Sequence, residues 1–205
     1  KALDYYQRSL KIREEIGAKK GTANIIGNIG NIYKKQGEND KALEYYQRSL
    51  KIKEEFGDKK GSASTINNIG IIYKEQGDYP KALDYYQRSL KIKEEFGDKK
   101  GISITIGNIG LIYQDQGDYP KALEYYQRSL KMEEENEDKT FSASSINSIG
   151  SIYQDQGDYS KALEYYQHSL KIREEIGDKT GSASSIHDIG IIYKIQGDYP
   201  KALKY

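Results

Sequence analysis

Apolar residues recur along this chain with helical spacing. One stripe lies at positions i, i+3, i+4 and i+7 and consists of Ile66, Ile69, Gly70 and Tyr73. Such spacing places the four side chains on one face of a helix. A second stripe follows and consists of Ala82, Leu83, Tyr86, Leu90 and Phe96. The pattern predicts two amphipathic helices joined by a short polar turn.

Residues at the ends of both stripes are typical helix boundaries. Ser62 is the expected N-cap of the first helix, and Gly77 is the expected left-handed residue after it. Pro80 suits the first turn of the second helix, where a missing N–H costs nothing. Gly97 closes the second helix, and the polar turn 98–101 follows. Because the turn between the helices is short, the pair should form an antiparallel hairpin.

This hairpin pattern repeats every 40 residues. A Lys-Ala-Leu segment begins at Lys1, Lys41, Lys81, Lys121, Lys161 and Lys201. One hairpin cannot cover both of its apolar faces, so successive hairpins must stack. We predict an all-α fold, an α-solenoid of antiparallel helix hairpins, with about ten full helices, a short terminal helix and no strand.

The predicted organisation is a single array over 1–205 with about five repeats. Its parts are the second helix of a partial repeat at 1–17, helix pairs at 22–57, 62–97, 102–137 and 142–177, and a truncated repeat at 182–205.

Composition favours a thin core spread along a line. Hydrophobic residues make up 36%, charged residues 31%, and the mean hydropathy is −0.86. The net charge of +1 offers no basic patch, so neither nucleic acid nor a membrane is an expected partner. No apolar run approaches the roughly 20 residues of a membrane span. Since the chain starts at Lys1 rather than Met, we expect the native N-terminus to lie upstream. The cytoplasm is the favoured compartment.

No residue pattern indicates chemistry. The chain has no cysteine, and its only imidazoles are His168 and His187, which lack the i, i+4 spacing of a helical metal site. His168 should be a solvated surface residue, whereas His187 is either solvated or in contact with a partner. Adjacent glutamates such as Glu94 and Glu95 point about 100° apart on a helix and should be solvated. We therefore predict a non-catalytic protein without cofactor or metal.

The 20 tyrosines include a ladder that lies off the core stripe. Two interpretations are open: an exposed ladder for lateral contacts, or half-buried packing on the adjacent repeat, which we favour. The ladder consists of Tyr5, Tyr45, Tyr85, Tyr125 and Tyr165.

The repeat resembles the tetratricopeptide repeat. The matching residues are Ile69, Gly70, Tyr73, Gly77, Tyr79, Ala82 and Tyr86. The chain departs from the family at Ile66, where Trp is usual, at Ser89, and in its long period. This long form is similar to arrays in kinesin light chain, in polarity adaptors that bind G-protein α subunits, and in bacterial signalling proteins. The resemblance implies a right-handed superhelix with a concave groove lined by the first helices.

The resemblance also implies which residues line this groove. The expected partner is a protein or peptide, as an amphipathic helix or extended segment. A clamp for a terminal carboxylate is not expected, since Gly27 stands where the first clamp lysine belongs and no arginine joins the set. The expected groove residues are Asn24, Asn31, Lys34, Lys35, Ser64, Asn67, Ile71, Lys74, Leu111, Gln114, Asn147, Gln154, His187, Ile191 and Lys194.

One segment, 131–138, breaks the repeat. Asn136 should remove an apolar contact, Glu137 replaces the helix-ending glycine, and Phe141 replaces the next glycine and could restore burial. The segment is either an acidic docking spot or bend, or drift in a tolerant repeat, which we favour.

Three functions remain open. The first is a scaffold that binds peptide segments. The second is a structural filament, because both ends are in register and head-to-tail self-association would complete a hairpin. The third is the docking or sensory region of a larger signalling protein.

Overall fold

The computed structural model describes residues 1–205 apart from the side chains of residues 19 and 20, and in these described residues it contains eleven helices and no strand. The all-α hairpin fold is confirmed. The helices are α1 (Ala2–Glu15), α2 (Lys19–Lys35), α3 (Asn39–Glu55), α4 (Lys59–Glu75), α5 (Tyr79–Glu95), α6 (Lys99–Asp115), α7 (Tyr119–Glu135), α8 (Lys139–Asp155), α9 (Tyr159–Glu175), α10 (Lys179–Ile195) and α11 (Tyr199–Lys204).

The chain forms two compact units, Lys1–Thr105 and Ile106–Tyr205. In the first unit, consecutive helices from α1 to α5 pack on one another, and in the second unit the same holds from α7 to α11. Even-numbered helices are the first helices of the repeats, and odd-numbered helices are the second. We call the exposed side of the even-numbered helices in each unit its first-helix face.

Residues of both predicted stripes form the core. Ile69 is fully buried and the ring of Tyr86 is 1% exposed. A Cβ added to Gly70 would lie 2.7 Å from Tyr86 Cε1 and 3.4 Å from the Ala82 carbonyl oxygen. A side chain at residue 70 would overlap the tyrosine ring that packs there, which accounts for the glycine.

The helices begin earlier than Ser62 suggested. Helix α4 starts at Lys59, and the Asp58 carboxylate accepts a hydrogen bond from the Gly61 N–H at 2.8 Å. The N-cap prediction for Ser62 was therefore wrong, because the aspartate at 58 already caps the helix. The other boundaries agree: Gly77 has φ +77°, and Pro80 lies in the first turn of α5.

The second stripe ends differently from the prediction. Phe96 is 48% exposed, whereas Lys93 is 6% exposed. Seven residues after the buried Tyr86, a helix returns to nearly the same face, whereas ten residues after it the side chain points about 80° away. The buried position therefore belongs to Lys93, and Phe96 does not extend the core.

Residues 136 and 137 show how the divergent segment is accommodated. Asn136 is exposed, but Phe56 and Phe96 at the equivalent positions are also exposed, by 47% and 48%. The apolar contact that Asn136 is expected to remove is therefore only a partial one, because the side chains at this position are about half exposed elsewhere. Glu137 keeps the backbone of the glycine that it replaces, with φ +56°.

Glu137→Gly is expected to raise the free energy of unfolding by about 1 kcal/mol. A left-handed conformation costs an L-residue about 1–2 kcal/mol, and the extra unfolded-state entropy of glycine offsets about half of that. Urea denaturation measures the change. Glu124→Gly, at an exposed position inside α7, is the control and should instead lose about 1 kcal/mol. Destabilisation by both changes would contradict the interpretation.

Candidate partner-binding site

The predicted groove residues of the first unit lie on the first-helix face of α2 and α4, with one exception. Asn24, Asn31, Lys35 and Ser64 are exposed, and Lys34, Ile71 and Lys74 are half-buried. Asn67 is only 6% exposed, and its Oδ1 accepts a hydrogen bond from Thr105 Oγ1 at 3.2 Å. Asn67 therefore joins neighbouring first helices instead of facing a partner.

Side-chain hydrogen bonds connect the neighbouring first helices α2 and α4. Asn31 Oδ1 accepts hydrogen bonds from the Tyr46 hydroxyl at 2.7 Å and from Asn68 Nδ2 at 3.2 Å. Lys34 Nζ donates to Glu75 Oε1 at 3.0 Å. The amides are thus oriented before any partner arrives.

The second unit repeats this arrangement with other residues. Leu111, His187 and Lys194 are exposed, and the remaining predicted residues are half-buried. Those residues are Gln114, Asn147, Gln154 and Ile191.

Side-chain amides again form hydrogen bonds between neighbouring first helices. Gln114 Nε2 donates to Ser151 Oγ and Asp155 Oδ2, both at 3.0 Å. Asn147 Nδ2 donates to Asp188 Oδ2 at 3.0 Å, and its Oδ1 accepts from Ser185 Oγ at 3.0 Å. Each first-helix face therefore combines fixed amides with apolar side chains at one repeated position.

The sequence prediction missed one repeated position of the two first-helix faces. The residue before each Ile-Gly pair is polar, and two of these residues, Asn68 and Asp188, take part in the bonds described above. Their constant position before the Ile-Gly pair was the signal that could have revealed them. These residues are Asn28 and Asn68 in the first unit and Asn108, Ser148 and Asp188 in the second.

The tyrosine ladder packs within its own hairpins. Tyr85 is half-buried and stacks on Tyr73 with 5.4 Å between ring centroids, and Lys81 Nζ lies 5.1 Å from the Tyr73 centroid. The same stack recurs in the pairs Tyr33–Tyr45, Tyr113–Tyr125 and Tyr153–Tyr165. Half-burial of these four members is confirmed, and each ring also stacks on a tyrosine of the first helix in its own hairpin. Tyr5 is 66% exposed.

The sequence profile of the tetratricopeptide repeat matches residues 1–55, 56–135 and 141–205. This chain belongs to the tetratricopeptide repeat family. No curated protein matches it significantly over the sequence. In this family the repeat is generally a non-catalytic scaffold.

Solved structures share the fold at low identity. BtubC (BKLC) from P. vanneervenii has a TM-score of 0.81 and 20% identity, over 98% of this chain and 85% of that one. The apo form of RapI has a TM-score of 0.76 and 20% identity, over 97% of this chain and 57% of that one. A STAND protein with a tetratricopeptide repeat sensor from Pyrococcus horikoshii has a TM-score of 0.80 and 20% identity, over 97% of this chain and 32% of that one.

The described part of this tetratricopeptide array contains no cluster of three or more His, Asp or Glu side chains arranged to hold a metal ion. None of the helices described combines the length and apolar character of a membrane span. His168 and His187 are both exposed. The solvated interpretation of His168 is therefore confirmed, and His187 lies on the first-helix face of α10.

Buried tyrosines should make the array sensitive to alkali. Burial raises the pKa of Tyr46 to about 12, and it also raises the pKa of Tyr86, Tyr126 and Tyr166. Between pH 10 and 12 the unfolded chain loses the Tyr46 proton while the folded chain keeps it, so stability falls as pH rises. Two pH units correspond to about 3 kcal/mol for this group alone. Burial lowers the pKa of Lys53 and Lys93 below its usual value of 10.5. Just below pH 10.5 these two lysines therefore make stability rise with pH, opposite to the effect of the tyrosines.

Urea denaturation at several pH values above 10 measures this effect. Tyr46→Phe should reduce the slope of stability against pH, whereas Tyr5→Phe, at an exposed ring, should leave it unchanged. Stability that stays constant up to pH 12 would contradict the prediction.

Proposed function

We propose that this chain is a non-catalytic scaffold that binds peptide segments, extended or helical, on its first-helix faces. The observation that supports this proposal is that the face of each unit presents apolar side chains among amides whose orientation is already fixed. The apolar residues are Ile71 in the first unit and Leu111 and Ile191 in the second, and Leu111 is 36% exposed. Apolar anchors supply binding energy, while amides pair with a peptide backbone through both donors and acceptors.

Preorganisation favours this use of the face. Tyr46 and Tyr126 donate their hydroxyls to Asn31 and Gln114, so these side chains need little ordering when a ligand binds. Binding that freezes fewer side chains loses less entropy. A Rap protein complexed with competence and sporulation factor has a similar structure, with a TM-score of 0.76 and 17% identity over 99% of this chain and 61% of that one. That likeness gives the proposal a precedent within the fold.

A selection from a library of short linear peptides displayed on phage tests the proposal. Selected sequences should share apolar residues, and synthetic copies should bind the purified chain in isothermal titration calorimetry. Peptides in which these apolar residues become aspartate are the matched controls. Failure to select any peptide above background, in a correctly folded chain, would reject the proposal.

Self-association is a second candidate, supported by exposed apolar side chains on α1, at its C-cap and on α11. Ile12 and Ile16 are 58% and 70% exposed, and Leu203 is 89% exposed. Multi-angle light scattering over a concentration series tests it, with Leu203→Glu as the variant. A strictly monomeric chain at high concentration would exclude it. The chain spans only 57% and 32% of two of its structural neighbours, so a docking role within a larger signalling protein is a further candidate.

A further inference from the structure

Three junctions between successive repeats share a buried basic side chain. Lys53 at the end of α3 donates to the Gly61 carbonyl and to Thr65 Oγ1 of α4, both at 2.9 Å. We call this arrangement the cation latch. Lys93 makes the same two bonds to Gly101 and Thr105 at 3.1 and 2.7 Å, and Arg173 to Gly181 and Ser185 at 2.7 and 2.9 Å.

The latch ties each second helix to the first turn of the next repeat. Lys53, Lys93 and Arg173 are 8%, 6% and 8% exposed, so their bonds form away from bulk water. Burying a cation is costly unless it is paired or hydrogen-bonded, and the two bonds of each latch offset part of that cost. Because the acceptors belong to the next helix, the cation resists separation of the two repeats.

The junction between α7 and α8 carries an acid in this place. Glu133 is 4% exposed and its Oε1 accepts a hydrogen bond from Ser129 Oγ at 2.9 Å. A carboxyl group has at most one donor, so it cannot make the two donated bonds that each latch cation makes to the next repeat. An acidic side chain thus replaces a basic one at this buried position.

The glycine at the start of the next helix is also replaced there. A Cβ added to Gly61, Gly101 or Gly181 would overlap the capping aspartate of its helix. Phe141 carries that Cβ, and its N–H lies 3.4 Å from the Asp138 carboxylate, compared with 2.8, 3.0 and 3.0 Å at the three glycines. The hydrogen bond that caps the N-terminus of α8 is thus the longest of these four.

A third difference lies on the first-helix side. Asn67 bonds Thr105 between α4 and α6, and Asn147 bonds Ser185 between α8 and α10. Gly107 takes this place between α6 and α8, and a Cβ there would meet open space. Gly27 occupies the equivalent position between α2 and α4, but at that repeat junction the Lys53 latch is present. Gln114 joins only the far ends of α6 and α8.

From these three differences we infer that the junction between α7 and α8 is a compliant joint. It opens before the junctions α3–α4, α5–α6 and α9–α10. Opening moves the start of α8 while Gln114 holds its far end, so the spacing of α6 and α8 on the first-helix face of the second unit changes. A binding surface with adjustable spacing follows, and this inference does not depend on the proposed peptide ligand.

Hydrogen–deuterium exchange of the unliganded full chain, read by mass spectrometry, tests the joint. Protection factors, corrected for sequence, are compared for the amides of 137–145 with those of 57–65, 97–105 and 177–185. We expect protection about tenfold lower in 137–145, because local opening controls exchange in folded proteins. Equal protection at all four junctions, or a minimum at another of them, would overturn the inference.

Variants test whether the missing latch causes the low protection expected in 137–145. Glu133→Lys with Phe141→Gly should raise protection in 137–145 to the level of the other junctions. Glu135→Lys, an equal charge change at an exposed position of α7, is the control and should leave it low. An equal rise in the control would reject the latch as the cause.

Two further variants keep the inference testable if the double variant does not fold. Gly107→Asn should raise protection in 137–145 from the first-helix side. Lys53→Glu with Gly61→Phe should lower protection in 57–65 by about tenfold, if local opening sets exchange there. The absence of both effects would overturn the inference.

Discussion

Tyr86→Ala is expected to lower the free energy of unfolding by about 3–5 kcal/mol, as other large aromatic truncations in cores do. Its ring is 1% exposed and packs on the backbone of Gly70, where α4 and α5 come closest. Truncation would leave a cavity that the helices cannot close, since α4 and α5 are also held by neighbouring repeats. Urea denaturation followed by circular dichroism measures the loss.

Tyr85→Ala is the matched control for this change. Tyr85 is the neighbouring residue on the same helix, but it is half-buried and stacks on Tyr73 at the surface. Its loss should cost about 1–2 kcal/mol, mainly the stacking and some apolar area. Equal losses for the two variants would show that the contact between Gly70 and Tyr86 does not dominate the hairpin.

Ile71→Glu is expected to weaken binding of a selected peptide by about 10–100-fold, the range for loss of an apolar anchor. Ile71 is half-buried on the first-helix face, and the core position of this helix is taken by the fully buried Ile69 and Ile72. A carboxylate at 71 would put charge where an apolar side chain is proposed to dock. Isothermal titration calorimetry measures affinity, and a thermal melt verifies the fold.

Ile16→Glu provides the same substitution outside the face. Ile16 is 70% exposed at the end of α1, and its replacement should leave both affinity and stability nearly unchanged. The proposed site in the first unit would be rejected if Ile71→Glu bound normally, or if Ile16→Glu weakened binding as strongly. Leu111→Glu extends the test to the second unit.

The spacing of apolar residues by itself determined the helices, their pairing and the repeat. Ile66, Ile69 and Tyr86 were placed correctly because a helix brings residues three and four apart to one face regardless of its surroundings. Gly77 and Pro80 marked a boundary for the same reason, since each acts through its own backbone. The likeness between repeats then required stacking, because one hairpin leaves apolar surface uncovered.

Only the tertiary structure decided which polar residues are buried. Lys93 and Asn67 look solvated in the sequence, yet each is buried because the next repeat supplies its hydrogen-bond partner, Thr105 in both cases. The stacking partner of Tyr85 could not be predicted from the sequence either, because stacking on Tyr73 depends on how two helices cross. Polar burial is stable only when a partner lies at bonding distance, and partners about 12 to 38 residues away are set by packing. Local periodicity contains no information about those distances.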